Sequence, residues 1–241
     1  MVKSPAAMPE GIKVQKMFAG IAKRYDLANV LLSGGACRWW ARRLVKLVAR
    51  ERPREVADLA TGSGDVAFAL RRALPDAEIR AYDFCEAMLD VARERAARRR
   101  EKNAAEKPVS FAFGDCMKLP LADASVDALT IAYGVRNFED RARGLRELRR
   151  VLRPGGAAFI LEFTQPATLF RPFYYLYLKL ALPLIAWAIT GDRKAYDYLA
   201  GSIEAFPPKE GLSAELRAAG FSDVRALGMT FSVVAAHIAR R

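Results

Sequence analysis

The segment DLATGSGD, Asp58 to Asp65, stands directly behind a short apolar strand pattern, EVADLA, and directly before a helical apolar pattern, VAFALRRAL. A strand, a glycine turn and a helix in immediate succession constrain the fold more than any other feature of the chain. Glycine at such a turn adopts dihedrals that other residues avoid and lets the backbone approach a ligand closely. The alternation then repeats. AEIRAYDF reads as a second strand, followed by a helix through EAMLDVARERAARR, and SFAFGD as a third. VDALTIAYG is apolar enough for a central strand buried on both faces. A helix from about Arg141 to Leu152 ends at the turn RPGG, and AAFILEF is a fifth strand. This order predicts a doubly wound, mostly parallel α/β sheet. The ending differs: a helix around LSAELRAAG stops at Gly220, and FSDVRALGM and TFSVVAAHIARR are closely joined strand-like runs. They predict a terminal antiparallel hairpin at the sheet edge, making seven strands.

The chain has 241 residues, 52% of them apolar, enough to bury one sizeable core. Residues 1–50 are expected to form an N-terminal helical lid region, with a turn at Ser33–Gly34–Gly35, and residues 51–241 the main domain, including an apolar helical insert over 166–200. The start has no apolar run of signal-peptide length and reads as a disordered lead-in. Three cysteines lie far apart and none sits in a CxxC pair, which fits a reducing cytoplasm and predicts no metal site. The formal charge of +12 is diffuse. No basic strand interleaved with aromatics accompanies it, so no nucleic-acid partner is expected; attraction to anionic lipid is the functional alternative to a merely arginine-rich surface.

A dinucleotide enzyme meets a pyrophosphate with GxGxxG. Here the third glycine is absent, since Asp65, Val66 and Ala67 follow Gly64. An acidic loop repels phosphate and suits a cation. S-adenosyl-L-methionine carries an ammonium and a sulfonium and no phosphate, so it is the expected cofactor. Asp58, Thr61, Gly62, Gly64 and Asp65 are expected around its amino-acid end, whose carboxylate can meet loop amides or a nearby basic residue. Asp83 ends the second strand about twenty residues past the loop, where a carboxylate can accept both ribose hydroxyl hydrogens, with Phe84 beside it. Asp115 can bond the adenine amino group, with the Cys116 amide near the ring. Met88 and Leu89 read as helix core. Each signal is weak alone. Together they predict a Rossmann-like class I S-adenosylmethionine-dependent methyltransferase.

The stretches KMFAGIAKRYDLANVLLSGGACRWW, VADLATGSGDVAFAL, ALTIAYGVRNFEDR, RVLRPGGAAFILEFTQP and GDRKAYDYLAGSIEAFPPKE resemble the ubiquinone/menaquinone biosynthesis C-methyltransferases over nearly the whole chain. The first and last lie outside the common cofactor core and tie the resemblance to this family. It implies methylation of a ring carbon of a lipid-soluble polyprenyl quinol, either demethylmenaquinol or a methoxy-benzoquinol. It implies cofactor contacts at Thr61, Asp83, Asp115 and Cys116, and a catalytic set of Arg136, Asn137 and Tyr25. Departures are plain: Ala132 replaces the serine of an SFGLRN-like motif, Cys37 replaces a histidine, Ala28 a methionine, and Thr164 a serine, while Asp26, Asn29 and Ser33 are kept.

A ring carbon becomes nucleophilic when its neighbouring hydroxyl ionises. Arginine is a poor general base, but Arg136 can stabilise the phenolate and orient a proton-accepting water, and Asn137 can fix that water or a ring oxygen. Tyr25 would bond the ring or pack in a lid. His237, in an alternating strand at the far edge, is not expected to act, and Cys85 and Cys116 are expected to fill space near the cofactor. The insert RPFYYLYLKLALPLIAWAIT, broken by Pro183, predicts one or two amphipathic helices. They either line a tunnel for the tail or rest on the inner face of the membrane, with Arg171, Lys179, Arg193 and Lys194 meeting headgroups, or they pack internally or form a homodimer interface. A methyltransferase for another hydrophobic ring, or a non-catalytic scaffold in a quinone-synthesis complex, are the competing readings; the latter would show a degraded cofactor loop.

Overall fold

A computed structural model of the chain describes residues 11–22, 25–182 and 194–241. The lead-in expected at the start lies outside the described residues. Seven strands, β1 (Glu55–Leu59), β2 (Glu78–Asp83), β3 (Ser110–Phe113), β4 (Val126–Ala132), β5 (Leu152–Phe163), β6 (Asp223–Met229) and β7 (Val234–Arg240), form one sheet ordered β3-β2-β1-β4-β5-β7-β6. The first five are mutually parallel, and β7 runs antiparallel between β5 and β6. The predicted hairpin is therefore present, with β6 at the edge. His237, expected at the far edge, sits instead on the interior strand β7, because the hairpin folds its second strand inward against β5.

Helices α1 (Gly11–Ile21), α2 (Tyr25–Leu32) and α3 (Ala36–Arg50) precede the sheet, and α4 (Asp65–Ala73), α5 (Glu86–Lys102), α6 (Arg141–Val151), α7 (Arg171–Leu176), α8 (Lys194–Ala205) and α9 (Lys209–Ala218) follow in turn. Each helix docks by an apolar stripe. In α3 the buried residues are Trp40, Leu44, Val45 and Val48, the i, i+4, i+5, i+8 pattern of one helical face. In α6 they include Leu145, Leu148 and Val151, and the helix starts where the Asp140 carboxylate accepts from the Arg143 amide at 2.9 Å.

Alternate strand residues feed two cores. Val56, Ile79 and Phe159 join Trp40, Leu44 and Leu70 on one face; Ala57, Leu59, Leu129 and Ile131 join Leu145, Leu148 and Leu216 on the other. RPGG, expected as a turn, lies within β5 as a bulge: Val126 pairs with Leu152, yet Ala128 pairs with Ala157. Gly156 permits this, since a Cβ there would stand 2.7 Å from the Asp127 carbonyl oxygen. The insert begins as α7 and continues through a wider π-helical turn, Tyr177–Ala181; its remainder, 183–193, lies outside the described residues. No helix among the described residues is long and apolar enough to cross a membrane.

Strand order reverses at the β1–β4 junction. The connections leaving β1 and β4 diverge there, to α4 on one side and towards α6 on the other, and open a crevice at the carboxyl ends of the strands.

Candidate active site

A cavity of about 780 Å³ occupies that crevice. The loop after β1 forms its floor. Gly62 has φ +55° and Gly64 φ +87°, so the turn reverses within five residues of the strand end. Asp83 holds it: one carboxylate oxygen accepts from the Gly62 amide at 2.7 Å and the other from the Cys85 amide at 2.9 Å. Asp58 accepts from the Thr61 hydroxyl at 2.6 Å and the Thr130 hydroxyl at 2.5 Å. Burial pushes Asp58 up to about 6, against the pull of those hydroxyls, and raises Asp83 as well. Both carboxylates are therefore poised to gain from a cation placed beside them.

Asp58, Thr61, Gly62, Asp83, Phe84, Asp115 and Cys116 all line this cavity. Asp115 is exposed and turns one oxygen to the Met117 amide at 2.8 Å. Cys116 is buried, which drives its thiol well above the usual range and leaves it inert. Gly64 stands apart from the wall. Its missing Cβ makes room for Phe68, 2.8 Å away, so it serves packing under the loop. Asp65 lines the cavity but is ion-paired with Arg95 of α5 at 2.5 Å. Arg95 also bonds Asp26 of α2 at 2.7 Å and the Ser63 carbonyl at 2.9 Å, while Asp26 accepts from the Ser63 hydroxyl at 2.6 Å. One guanidinium thus ties α2 to the glycine loop, a link that no local pattern announces.

A second cavity of about 410 Å³ adjoins the first, and Phe18, Asn29, Cys37 and Tyr133 line both. Its wall is aromatic. Phe163 is the hub: Tyr133 packs at 5.0 Å between centroids, Trp40 meets it edge-on at 6.5 Å, and the Arg136 guanidinium lies 5.5 Å over its face. The Trp40 indole donates to the Thr230 hydroxyl at 2.9 Å. Tyr174, Tyr177 and Leu178 of the insert close the far side, and the Tyr177 hydroxyl donates to the Leu32 carbonyl at 2.5 Å.

Arg136 and Asn137 occupy a single 3-10 turn, Val135–Asn137, launched from β4 through Tyr133, whose φ is +59°. Arg136 is buried and faces the second cavity. Glu162, buried at the end of β5, receives its guanidinium at 3.0 Å and its backbone amide at 3.1 Å. The guanidinium also donates to the Tyr133 carbonyl. A charged donor is thereby held rigid with its charge balanced, at the edge of an apolar space. Asn137 faces the first cavity. Tyr25 begins α2, but its side chain lies outside the described residues. Ala132 lines the first cavity, and Cys37 stands at the seam. His237 touches neither; its Nε2 meets the Lys209 carbonyl at 2.9 Å in the buried interior. Glu162, Phe163, Trp40 and Tyr198 lie in the family stretches quoted above, but nothing in those stretches marked them as part of the site.

The sheet with its reversed last strand, the acidic crevice at the switch point and the neighbouring acceptor space define an S-adenosyl-L-methionine-dependent methyltransferase of the class I Rossmann-like fold. Solved structures bear out the fold: a methyltransferase from Thermotoga maritima aligns with a TM-score of 0.65 at 19% identity over 93% of this chain and 98% of its own, and one from Aquifex aeolicus with 0.57 at 19% over 81% and 88%. The chain belongs to the ubiE/COQ5 methyltransferase family, whose model matches residues 7–241. It is 45% identical to the demethylmenaquinone methyltransferase of Thermus thermophilus, over 93% of this chain and all of the relative (100%). It is 38% identical to a ubiquinone/menaquinone biosynthesis C-methyltransferase of Rubrivivax gelatinosus, over 95% and 87%.

Proposed function

We propose that this enzyme methylates a ring carbon of a polyprenyl quinol of the demethylmenaquinol type. The observation that carries the reading is the pair of adjoining cavities, one acidic and built on the sheet edge, one aromatic and bearing the buried Arg136. S-adenosyl-L-methionine suits the first. Asp83 would accept its ribose hydroxyls, Asp115 and Cys116 would meet its adenine, and Asp58 with the loop amides its ammonium. Arg38 and Arg42 of α3 line the same cavity and offer its carboxylate a cationic partner. When bound, it supplies an electrophilic methyl group.

The quinol ring would lie in the second cavity against Phe163 and Tyr133. Arg136 lowers the cost of losing the hydroxyl proton by donating to the phenolate oxygen, and a water carries the proton away. Asn137 and Tyr25 would fix the ring oxygen and ring face. Loss of the hydroxyl proton would make the ring carbon nucleophilic toward the methyl group the cofactor supplies, and the proton displaced from that carbon would pass to water as aromaticity returns. Aligning the ring with the methyl across the Tyr133 seam supplies much of the rate.

The N-terminal helices α1–α3 act as a lid in this reading, and the insert as the approach for the substrate. Leu169, Phe173, Leu176 and Leu180 are 58–89% exposed around α7, an apolar face beside Arg171 and Lys179. Such a face suits a peripheral stay on the cytoplasmic side of an anionic bilayer, from which a lipid-soluble quinol would enter. Sedimentation with phosphatidylglycerol vesicles should carry the enzyme down, and Phe173→Glu with Leu176→Glu should leave it in solution. A concentration-dependent dimer broken by the same pair, with no vesicle binding, would assign the face to a second copy of the chain.

The test of the activity is methyl transfer by the purified protein in detergent, with labelled S-adenosyl-L-methionine and either reduced demethylmenaquinol or the methoxy-benzoquinol precursor. Label on a ring carbon of the naphthoquinol supports the reading. Cofactor binding with transfer to neither would overturn it.

A further inference from the structure

Asn137 has an amide whose two ends are nearly alike in shape and opposite in hydrogen bonding. An NH2 presented to a phenolate stabilises it, whereas a carbonyl presented there repels it. The backbone turn at Val135–Asn137 does not decide between the two. The Tyr133 carbonyl, which can only accept, favours the orientation with Nδ2 on its side, and a hydroxyl from α8 fills the other end and holds it there.

Tyr198, on the first turns of α8, lines the aromatic cavity, and its hydroxyl donates to Asn137 Oδ1 at 2.9 Å. The opposite end of the amide, Nδ2, lies 3.4 Å from the Tyr133 carbonyl, a long contact that leaves room for a better acceptor. Asn137 itself faces the cofactor cavity, so this hydrogen bond crosses the seam where methyl and ring must meet. Burial holds the Tyr198 phenol above its ordinary range, although the Arg136 charge draws it down, so the hydroxyl keeps its proton and remains a donor.

We propose that Tyr198 is a positioning residue for methyl transfer: by occupying Asn137 Oδ1 it locks the amide with its NH2 toward the ring oxygen, so that Arg136 and Asn137 donate to the same developing phenolate from two sides. This rests on the quinol reading of the second cavity. It assigns α8, whose first turns close the apolar insert, a part in the chemistry as well as in enclosing the substrate.

The consequence separates cleanly from packing. Tyr198→Phe keeps the ring and removes one oxygen. It should lower kcat about tenfold while KM for the quinol and the affinity for S-adenosyl-L-methionine stay within twofold, because the lost contact matters to the charged oxygen of the transition state. The acid limb of the kcat profile should move to higher pH, the bound quinol having lost part of what stabilises its anion. In a double-mutant cycle, Tyr198→Phe placed on Asn137→Ala should cost nothing more. An unchanged kcat in Tyr198→Phe beside a depressed one in Asn137→Ala would overturn the role of Tyr198 and spare the reading of Asn137. Additive losses in the cycle would overturn it too, since Tyr198 would then act by another route. Full activity in Asn137→Ala would remove the role of Asn137 and this one with it while leaving the quinol reading standing, whereas no transfer to the quinol by the unaltered protein would remove the quinol reading itself.

Discussion

The two cavities are built by opposite means. The first is made of backbone and carboxylates at the ends of neighbouring strands. Asp58, Gly62 and Asp83 lie within one βαβ unit and are held by bonds of 2.5–2.9 Å, most of them within that unit and one to Thr130 of the neighbouring β4. The second is made of side chains drawn from α1–α3, β5, the insert, α8 and the β6–β7 turn, and nothing joins them but packing and a few long-range bonds such as Trp40 to Thr230. A site that must hold one invariant molecule can be written into a single motif. A site that must fit a particular acceptor is gathered from the whole chain.

The sharpest way to break this contrast is Asp83→Ala. It removes the carboxylate proposed to accept the ribose hydroxyls and strands two loop amides, so affinity for S-adenosyl-L-methionine should fall about a hundredfold, the worth of two hydrogen bonds to a charged acceptor. Calorimetric titration reads it directly, and an unchanged affinity would displace the ribose from this carboxylate. Phe163→Ala addresses the other cavity. It should raise KM for the quinol about tenfold through lost aromatic contact, with cofactor affinity unmoved; a matching loss of cofactor affinity would show the cavities to be one site energetically.

A tenfold effect is also expected from pH. With Asp58 up to about 6, the free protein at pH 5 carries this carboxyl protonated, and binding a cation beside it must expel the proton. Affinity for the cofactor should therefore be about tenfold weaker at pH 5 than at pH 7, one pH unit below the midpoint costing one factor of ten. Asp58→Asn should flatten the profile. The same shift has a consequence for the unliganded fold: the folded state holds this proton more tightly than the unfolded chain, so the Asp58 contribution to stability declines as pH rises from 3.8 through about 6.

The smallest effect belongs to Arg95→Ala. Its ion pairs are partly exposed, with a third of its side chain in solvent, and such pairs are worth about 0–1 kcal/mol each. Cofactor affinity should fall threefold or so, and hydrogen exchange in α2 should quicken. Unchanged exchange would mean that the N-terminal helices are held by packing alone.

What could be read in advance follows the same division. Strand, glycine turn and acidic strand ends announced the sheet and the cofactor edge, because each functional group there sits within a few residues of the element that places it. Arg136 and Asn137 were visible for the same reason, one turn past β4. Glu162, which balances Arg136, was not: it is one carboxylate at the end of an apolar strand, and only parallel pairing of β4 with β5 brings it beneath the guanidinium. Arg95 was hidden in a block of mixed charge whose sign pattern does not tell which arginine faces the loop. RPGG reads as a turn in any local scheme; that it is a bulge within β5 depends on the neighbour strand continuing past it.

Among the described residues Phe18, Asn29, Cys37 and Tyr133 alone belong to both cavities, and three of these four stand on α1–α3. A change of acceptor made through the front helices therefore reaches the first cavity as well, because Arg38 and Arg42 of α3 line it and Asp26 of α2 is tied to its glycine loop through Arg95, whereas a change made through the described part of the insert touches the second cavity alone.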